Sequence, residues 1–414
     1  MNGSTIPIPS ASAQPVPDAP APRRRRGRRA LVWTAVVVAA LLALVYLGGG
    51  WYFSGRIDSG ALQSNPGPQQ ATYNLEVTAV GDGAITYQAS GDTSPSFAQP
   101  SSYALLWDGG SAYVGPPSAT TGTTVTRPLT DIVGTAPEAG TAAALERDWY
   151  LGDPSTALGL PFRSISVTDS HGTLPGWYVP AASPSTWTAV MVHGREGFPR
   201  EMLRELETVH AAGLNAVVIT YYGDYGNTPY DDGRFDWGQT EDEDVAAFVA
   251  YAHQQGAEHI VLMGNSMGTA VVAGYLASAS DVSDIDGVFL DSAAVNAGQV
   301  VEEGAKTVAL PVVGAPPSSL VAVAEWMSGL RYGVDWKAID YADDAVWDQV
   351  QTLVVHGDAD PTVGVQVSRD FAALHPGTVE YVEFPGAQHV ESWNTDRARY
   401  QQVLGDWLQQ RMAG

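Results

Sequence analysis

The sequence predicts an α/β chain, with a mostly parallel sheet covered by helices on both faces, behind a transmembrane helix and a small β-rich region. Three observations carry that expectation. From about residue 161, β-branched runs alternate with helix-period segments, the pattern of strand–helix–strand units. Residues 30–53 run for 24 positions without a charge, long enough to cross a bilayer. Between residues 71 and 130 the apolar runs are short and broken by Gly and Asp turn signals.

Composition narrows the function classes. The 414 residues exceed what one small domain needs, and 45% are hydrophobic, enough for a large core. There is no cysteine, so disulfides, thiolate metal sites and a lipidated cysteine are excluded. The formal charge of −24 is unevenly spread. Arg23, Arg24, Arg25, Arg26, Arg28 and Arg29 are six of the 21 bases, and Asp18 is the one acid of 45 before residue 51. From residue 51 onward the remaining 44 acids face 15 bases, a balance of −29. A body this acidic repels nucleic acid and anionic surfaces, so no nucleic-acid partner is expected.

In chain order, residues 1–22 are rich in Pro, Ser and Ala without apolar period, and with the arginines to residue 29 they read as a disordered basic tail. Arginines ahead of the uncharged run place the N-terminus in the cytoplasm and everything after it outside. A single-pass anchor at the cell membrane follows. A cleaved signal peptide is the rival, but the run exceeds an h-region and no A-x-A site follows it. Residues 54–70 read as a linker. Strand signals fall at 73–80, 84–88, 103–107, 112–114 and 123–127, in a region without a chemical constellation that reads as a spacer or packing unit. Residues 131–160 read as a connector with a helix around 141–150.

From 161 a hairpin, 164–168 with 177–179, leads to strands at 188–193, 215–220, 259 onward, 287–290, 353–356 and 379–384. Helices are expected near 199–212, 241–255, 365–374 and from about 396. The stretch of about 293–350 is longer than a crossover helix needs. It reads as an insert covering the site, with Trp326, Tyr332, Trp336 and Trp347 placed either in a pocket or in the core.

The chemistry centres on residues 259–269. An apolar strand ends in Gly264-Asn265-Ser266-Met267-Gly268 and runs into a small-residue helix, the strand–turn–helix of a G-x-S-x-G nucleophile elbow. Glycines flank the serine where a side chain would clash with the turn, and the helix aims its free N–H groups at the serine oxygen. A chance match in a turn is the bland alternative. Serine is a poor nucleophile without a base and an acid to orient that base. Downstream, His356-Gly-Asp-Ala-Asp360 follows one strand and Phe384-Pro-Gly-Ala-Gln-His389 follows the last. Both lie at strand C-terminal ends, where ligands bind in open sheets. Asp358 and Asp291 are rival acids.

Together these motifs resemble those of the α/β-hydrolase superfamily, over residues from about 154 to 412. The chain is similar to its serine-nucleophile branch, the bacterial serine aminopeptidase-like and acylaminoacyl-peptidase-like esterases. Asp153-Pro-Ser-Thr-Ala-Leu-Gly-Leu-Pro161 also matches that branch. The resemblance implies that Ser266 is the nucleophile, His389 the general base and acid, and Asp360 the orienting acid. It implies oxyanion donors at the backbone N–H of Met267 and of Arg195, the latter in His193-Gly-Arg-Glu-Gly197. That loop departs from the Gly-rich version of many lipases, which points away from bulky esters. It leaves the Arg195 side chain to contact substrate or an acid such as Glu196.

The implied protein is a membrane-anchored, extracytoplasmic serine hydrolase acting on a small-molecule ester, thioester or amide. Esterase activity is favoured over peptidase activity, because neither a propeller-like gate nor an acidic pair for an N-terminal amine is visible. A non-catalytic binding protein is the contrasting alternative. No cofactor or catalytic metal is expected. Thr240-Glu-Asp-Glu243 reads as a capping box. Asp284-Ile-Asp286-Gly287 lacks key calcium ligands, having Val282 at the first position. Aspartates 224, 231, 232 and 236 read as a solvated loop, and His193 and His356 as loop-bonding residues.

Overall fold

A long helix, α1 (Arg23–Ile57), opens the described chain. The computed structural model describes residues 23–413 apart from 69–70, 91–94 and 311–313, together with residues 1 and 3. The tail expected at 1–22 therefore lies almost wholly outside the described residues. The chain divides into two compact units, Met1–Gly49 and Gly50–Gly414. In the first, Leu31, Val36, Leu41 and Leu44 are all exposed. Among the described residues, this is the one helix long and apolar enough to cross a membrane.

Within the second unit, seven strands follow: β1 (Leu75–Gly81), β2 (Ala84–Ala89), β3 (Tyr103–Trp107), β4 (Gly110–Val114), β5 (Ala119–Thr121), β6 (Thr124–Gly134) and β7 (Ala142–Glu146). Their order is β2-β1-β7-β3-β4-β6-β5, and pairing of β2 with β6 closes six of them into an antiparallel barrel. Short turns enforce this. Asp82 and Gly83 both take positive φ, the two-residue hairpin geometry that matches strand twist. Alternate residues point inward, so Leu75 and Val77, Ile85 and Tyr87, and Tyr103, Leu105 and Trp107 share one buried core. Arg127 is buried with them and donates to Tyr87 Oη (2.5 Å) and to the carbonyls of Ser101 (2.5 Å), Gly115 (2.9 Å) and Gln99 (2.8 Å).

The helix expected around 141–150 is instead β7. Its Ala-rich sequence favours helix, but β1 and β3 claim its backbone from both sides. Tertiary pairing outweighs a propensity difference of a few tenths of a kcal/mol per residue.

The second sheet has eight strands: β8 (Arg163–Asp169), β9 (Gly172–Val179), β10 (Trp187–Val192), β11 (Asn215–Ile219), β12 (His259–Asn265), β13 (Ile285–Asp291), β14 (Thr352–Gly357) and β15 (Val379–Phe384). Their order is β15-β14-β13-β12-β10-β11-β9-β8, with β8–β9 and β9–β11 antiparallel and the rest parallel. The interleaved helices are α2 (Pro154–Leu158), α3 (Leu203–Ala212), α4 (Glu241–Gln254), α5 (Met267–Ser278), α6 (Ala297–Lys306), α7 (Ser318–Tyr332), α8 (Gln366–Leu374), α9 (Ser392–Thr395) and α10 (Arg397–Ala413). Both sheet faces are buried. In β12, Ile260 and Leu262 face α4, α5 and α8, while Val261 and Met263 face α3 and α10. That two-sided burial makes the strand read as a continuous apolar run.

The expected fold class needs correction. An α/β chain with a mostly parallel sheet and a small β-rich preface requires parallel ladders to dominate. Nine of the fourteen ladders between described strands are antiparallel, and residues 75–146 form a closed barrel with its own core. The second sheet is mixed. The cause is connection length: turns of a few residues can join only antiparallel neighbours, whereas parallel strands need a crossover of a dozen residues or more.

Candidate active site

In the mixed sheet the chain runs from β10 to β11 on one side, then crosses back to place β12 on the other. The adjacent C-terminal ends of β10 and β12 form the crevice that a reversal of strand order creates. Residues 193–197 leave β10 there, and Ser266 leaves β12.

The turn at Ser266 is held by close approach. A Cβ on Gly264 would lie 2.7 Å from the Gly268 carbonyl oxygen, and one on Gly268 would lie 2.5 Å from the carbonyl oxygens of Val192 and His193. Neither glycine has positive φ; Ser266 does, at φ 50° and ψ −123°. Strain of this kind costs of order 1–3 kcal/mol and persists only where surroundings fix it. Here the Ser266 N–H donates to the Asp291 carbonyl (2.9 Å), and Thr269 Oγ1 donates to the Ser266 carbonyl (2.6 Å). Glu196, Ser292 and Val390, in the loops around the site, also take positive φ. For β-branched Val390 this is a true outlier.

The structure brings Ser266, His389 and Asp360 together. His389 Nε2 lies 2.7 Å from Ser266 Oγ, and His389 Nδ1 lies 2.7 Å from Asp360 Oδ2. Asp360 Oδ1 accepts from the N–H groups of Thr362 (2.7 Å) and Val363 (2.9 Å). Burial pushes the Asp360 carboxyl up, but His389 and His356 outweigh it and hold it well below the usual carboxylate range. The rival acids are engaged elsewhere. Asp291 accepts from Tyr400 Oη (2.9 Å) and Ser292 Oγ (3.1 Å), and Asp358 accepts from the Gly386 N–H (2.6 Å).

Met267 is the first residue of α5, so its N–H is one of the donors the helix cannot pair internally. Arg195 is positioned through its neighbour. The Gly194 N–H donates to Glu201 Oε1 (3.0 Å), while the Gly194 carbonyl accepts from Gly197 N (3.0 Å), Tyr221 Oη (3.0 Å) and His193 Nδ1 (2.9 Å). A planar trans peptide opposes its C=O and N–H, so the carbonyl anchored in that cluster turns the Arg195 N–H away from it. His193 Nε2 bonds Asp224 Oδ2 at 3.0 Å. Burial favours the neutral ring, but Asp224 and the Gly194 carbonyl prevail and raise its pKa to about 9. The Arg195 side chain, left open by the sequence, donates to the Gly60 carbonyl (2.6 Å).

Several supports were not legible in the sequence. His356 does more than bond its loop, since its Nε2 lies 3.1 Å from Asp360 Oδ2 and its Nδ1 2.6 Å from Ser368 Oγ. The barrel abuts the loop that carries His389. Tyr103 Oη donates to Glu391 Oε2 (2.6 Å) within the core, Ser101 Oγ meets Thr395 Oγ1 (2.8 Å), and Asn394 Nδ2 donates to the Ser102 carbonyl (2.9 Å). Arg204 Nη1 donates to the Val390 carbonyl (2.8 Å) from α3.

The acids around 221–244 serve loop geometry. Thr240 makes no capping bond to its helix, so the expected capping box does not form. Glu241 instead turns inward to Tyr230 Oη and the Gly238 N–H (2.8 Å), and Asp244 to the Tyr222 N–H (2.6 Å) and His171 Nδ1 (2.8 Å).

A cavity of about 440 Å³ lies over Ser266, Met267 and Arg195, within the range of small-molecule sites. The insert contributes Val300, Val301, Val308 and Val321 to it, whereas Trp347 is buried in the core and Trp336 bonds back to α7 through the Glu325 carbonyl (2.9 Å). Phe53, Arg56, Ile57 and Ala61 form another wall, and Trp237, Thr362 and Val363 also line the cavity.

A family model described as "Domain of unknown function (DUF8805)" matches residues 76–146, the span of the barrel. No curated protein matches the chain. Among solved structures, the chain is similar to the esterase Pf2001 of Pyrococcus furiosus, at 19% identity and TM-score 0.47, over 63% of this chain and 96% of that one. It is also similar to Est1E from Butyrivibrio proteoclasticus, at 16% identity and TM-score 0.44, over 61% and 99% of the two chains. A thermophilic esterase from Thermogutta terrifontis gives 16% identity and TM-score 0.43, over 60% and 99%. These neighbours are bacterial and archaeal esterases.

Proposed function

We propose that the chain is a membrane-anchored serine hydrolase that cleaves carboxylic esters, or thioesters and amides, through an acyl-enzyme on Ser266. The observation that carries this reading is the unbroken line from Ser266 Oγ through His389 to Asp360, with 2.7 Å at each contact. The Ser266 hydroxyl passes its proton to His389 Nε2 as Oγ bonds the carbonyl carbon. Asp360 holds the ring by accepting from Nδ1–H and balances the imidazolium charge. The N–H groups of Met267 and Arg195 take the developing oxyanion. Collapse breaks the bond to the leaving group, which receives the proton from Nε2. Water then repeats the sequence, giving its proton to His389, releasing the acid and returning the proton to Ser266.

The polar tail ahead of α1 and the arginines in its first turns support an N-terminus in the cytoplasm and a catalytic body outside. Protease added to intact cells is expected to remove that body. The activity test is purified full-length protein against p-nitrophenyl acetate and aminoacyl-nitroanilides. Ester cleavage that falls about 10⁴–10⁶-fold in Ser266→Ala is expected. Faster amide than ester cleavage turns the reading to a peptidase of the same chemistry, and cleavage untouched by the substitution removes it.

A further inference from the structure

The wall formed by Phe53, Ile57 and Ala61 has a specific origin. Phe53 is the last residue of the uncharged run 30–53, and α1 continues unbroken through Ile57. The helix that supplies the anchor therefore supplies one side of the cavity over Ser266. The next residues are fastened onto the catalytic body. Gly60 accepts from Arg195, the Ala61 carbonyl from Trp237 Nε1 (3.2 Å), and Asp58 Oδ1 from Arg234 Nε (2.7 Å). Leu62 is buried in the same core as Met267.

A second, independent feature lies on α7. Gly50 packs so closely on this helix that a Cβ there would lie 2.7 Å from Val323 Cγ1. Arg331 stacks over Trp51 at 3.7 Å and donates to the Trp51 carbonyl (2.7 Å) and Ser54 Oγ (2.6 Å). Beside this junction Trp51, Tyr52, Trp326 and Leu330 are all more than half exposed. Trp326 and Leu330 are four residues apart and share one helix face. Aromatic residues gathered at the end of an apolar span are the signature of a membrane–water interface.

Against the expectation from the Arg195 loop, which points away from bulky esters, we propose that the substrate is an acyl ester resident in the bilayer, whose acyl chain enters the largely apolar cavity at the membrane surface while α7 rests on the lipid interface. This rests on the hydrolase and anchor readings above. Phe53, Ile57, Val301 and Val308 offer an acyl chain apolar contact, and Arg56 and Arg195 are the charged groups that also line the cavity. Hydrolysis adds water across the ester bond, giving the free acid and the alcohol.

The test uses full-length protein in phosphatidylcholine vesicles, with p-nitrophenyl acetate, butyrate and octanoate in solution and a diacylglycerol in the bilayer. Rates on the nitrophenyl esters should rise roughly fourfold in kcat/KM per added methylene until the cavity is filled. Val301→Trp and, separately, Val308→Trp should each cut the octanoate-to-acetate ratio at least tenfold. Trp326→Asp with Leu330→Asp should lower the ratio of diacylglycerol to acetate rates about fivefold. Flat chain-length dependence, or unchanged ratios in all variants, overturns the lipid substrate while acetate hydrolysis upholds Ser266. Absence of acetate hydrolysis and of fluorophosphonate labelling overturns both.

Discussion

The barrel and the mixed sheet solve the same problem in opposite ways. The barrel closes β2 on β6, pairs its edges and spends its one buried cation, Arg127, on its own carbonyls and Tyr87. The mixed sheet stays open, and its strands end in loops whose backbone is left strained at Ser266, Ser292 and Val390. Closure gives a self-contained body; openness leaves strand ends free to converge reactive groups. The two are joined where it matters, because Tyr103 of the barrel reaches Glu391, two residues beyond His389. On the proposed mechanism the barrel would brace the loop that carries His389.

The largest effect that can break this contrast is in the open sheet. Asp360→Asn keeps the shape of the side chain but disturbs the tautomer and charge balance of His389, and should lower kcat about 10⁴-fold. A small loss would place the orienting acid elsewhere. The Asp360 carboxyl lies below its unfolded value of about 3.9, so its stabilisation is present at neutral pH and is lost as acid is added below about pH 4.

His193 sharpens the contrast next. Its pKa rises from about 6.5 unfolded to about 9 folded, so its contribution is complete below pH 6.5 and disappears as pH climbs through 9. The loss is of order 3 kcal/mol and should appear as a falling urea midpoint between pH 6.5 and 9.5. His193→Gln should flatten that slope; an unchanged slope would assign it to other groups.

The smallest effect tests the junction. Tyr103→Phe removes one buried bond to Glu391, worth about 1–3 kcal/mol, and should lower kcat about tenfold with KM nearly unchanged. Full activity in this variant would return the barrel to the status of a spacer.

Legibility followed sequence distance. Ser266, Asp360 and His389 could be singled out because each closely follows a strand within a short motif, and local chemistry marks it. The hairpin of β8 and β9 and the bounds of β15 were readable for the same reason. Barrel closure was not, since the pairing of Thr86 with Thr126 leaves no trace in local alternation. The Ala-rich run at 142–146 even pointed to the wrong element. Residues 58–65, read as linker from their Gly, Ser and Asn content, bond across more than a hundred positions to Arg195, Glu196 and Arg234. Periodicity records which side of an element is apolar, not what will cover it.

The most direct measurement is intact-protein mass spectrometry after a fluorophosphonate, with peptide mapping, on wild type and Ser266→Ala. A single adduct on Ser266, absent from the variant and from heat-denatured protein, is the predicted result. An unlabelled folded wild type, beside a control serine hydrolase that labels, would contradict the account.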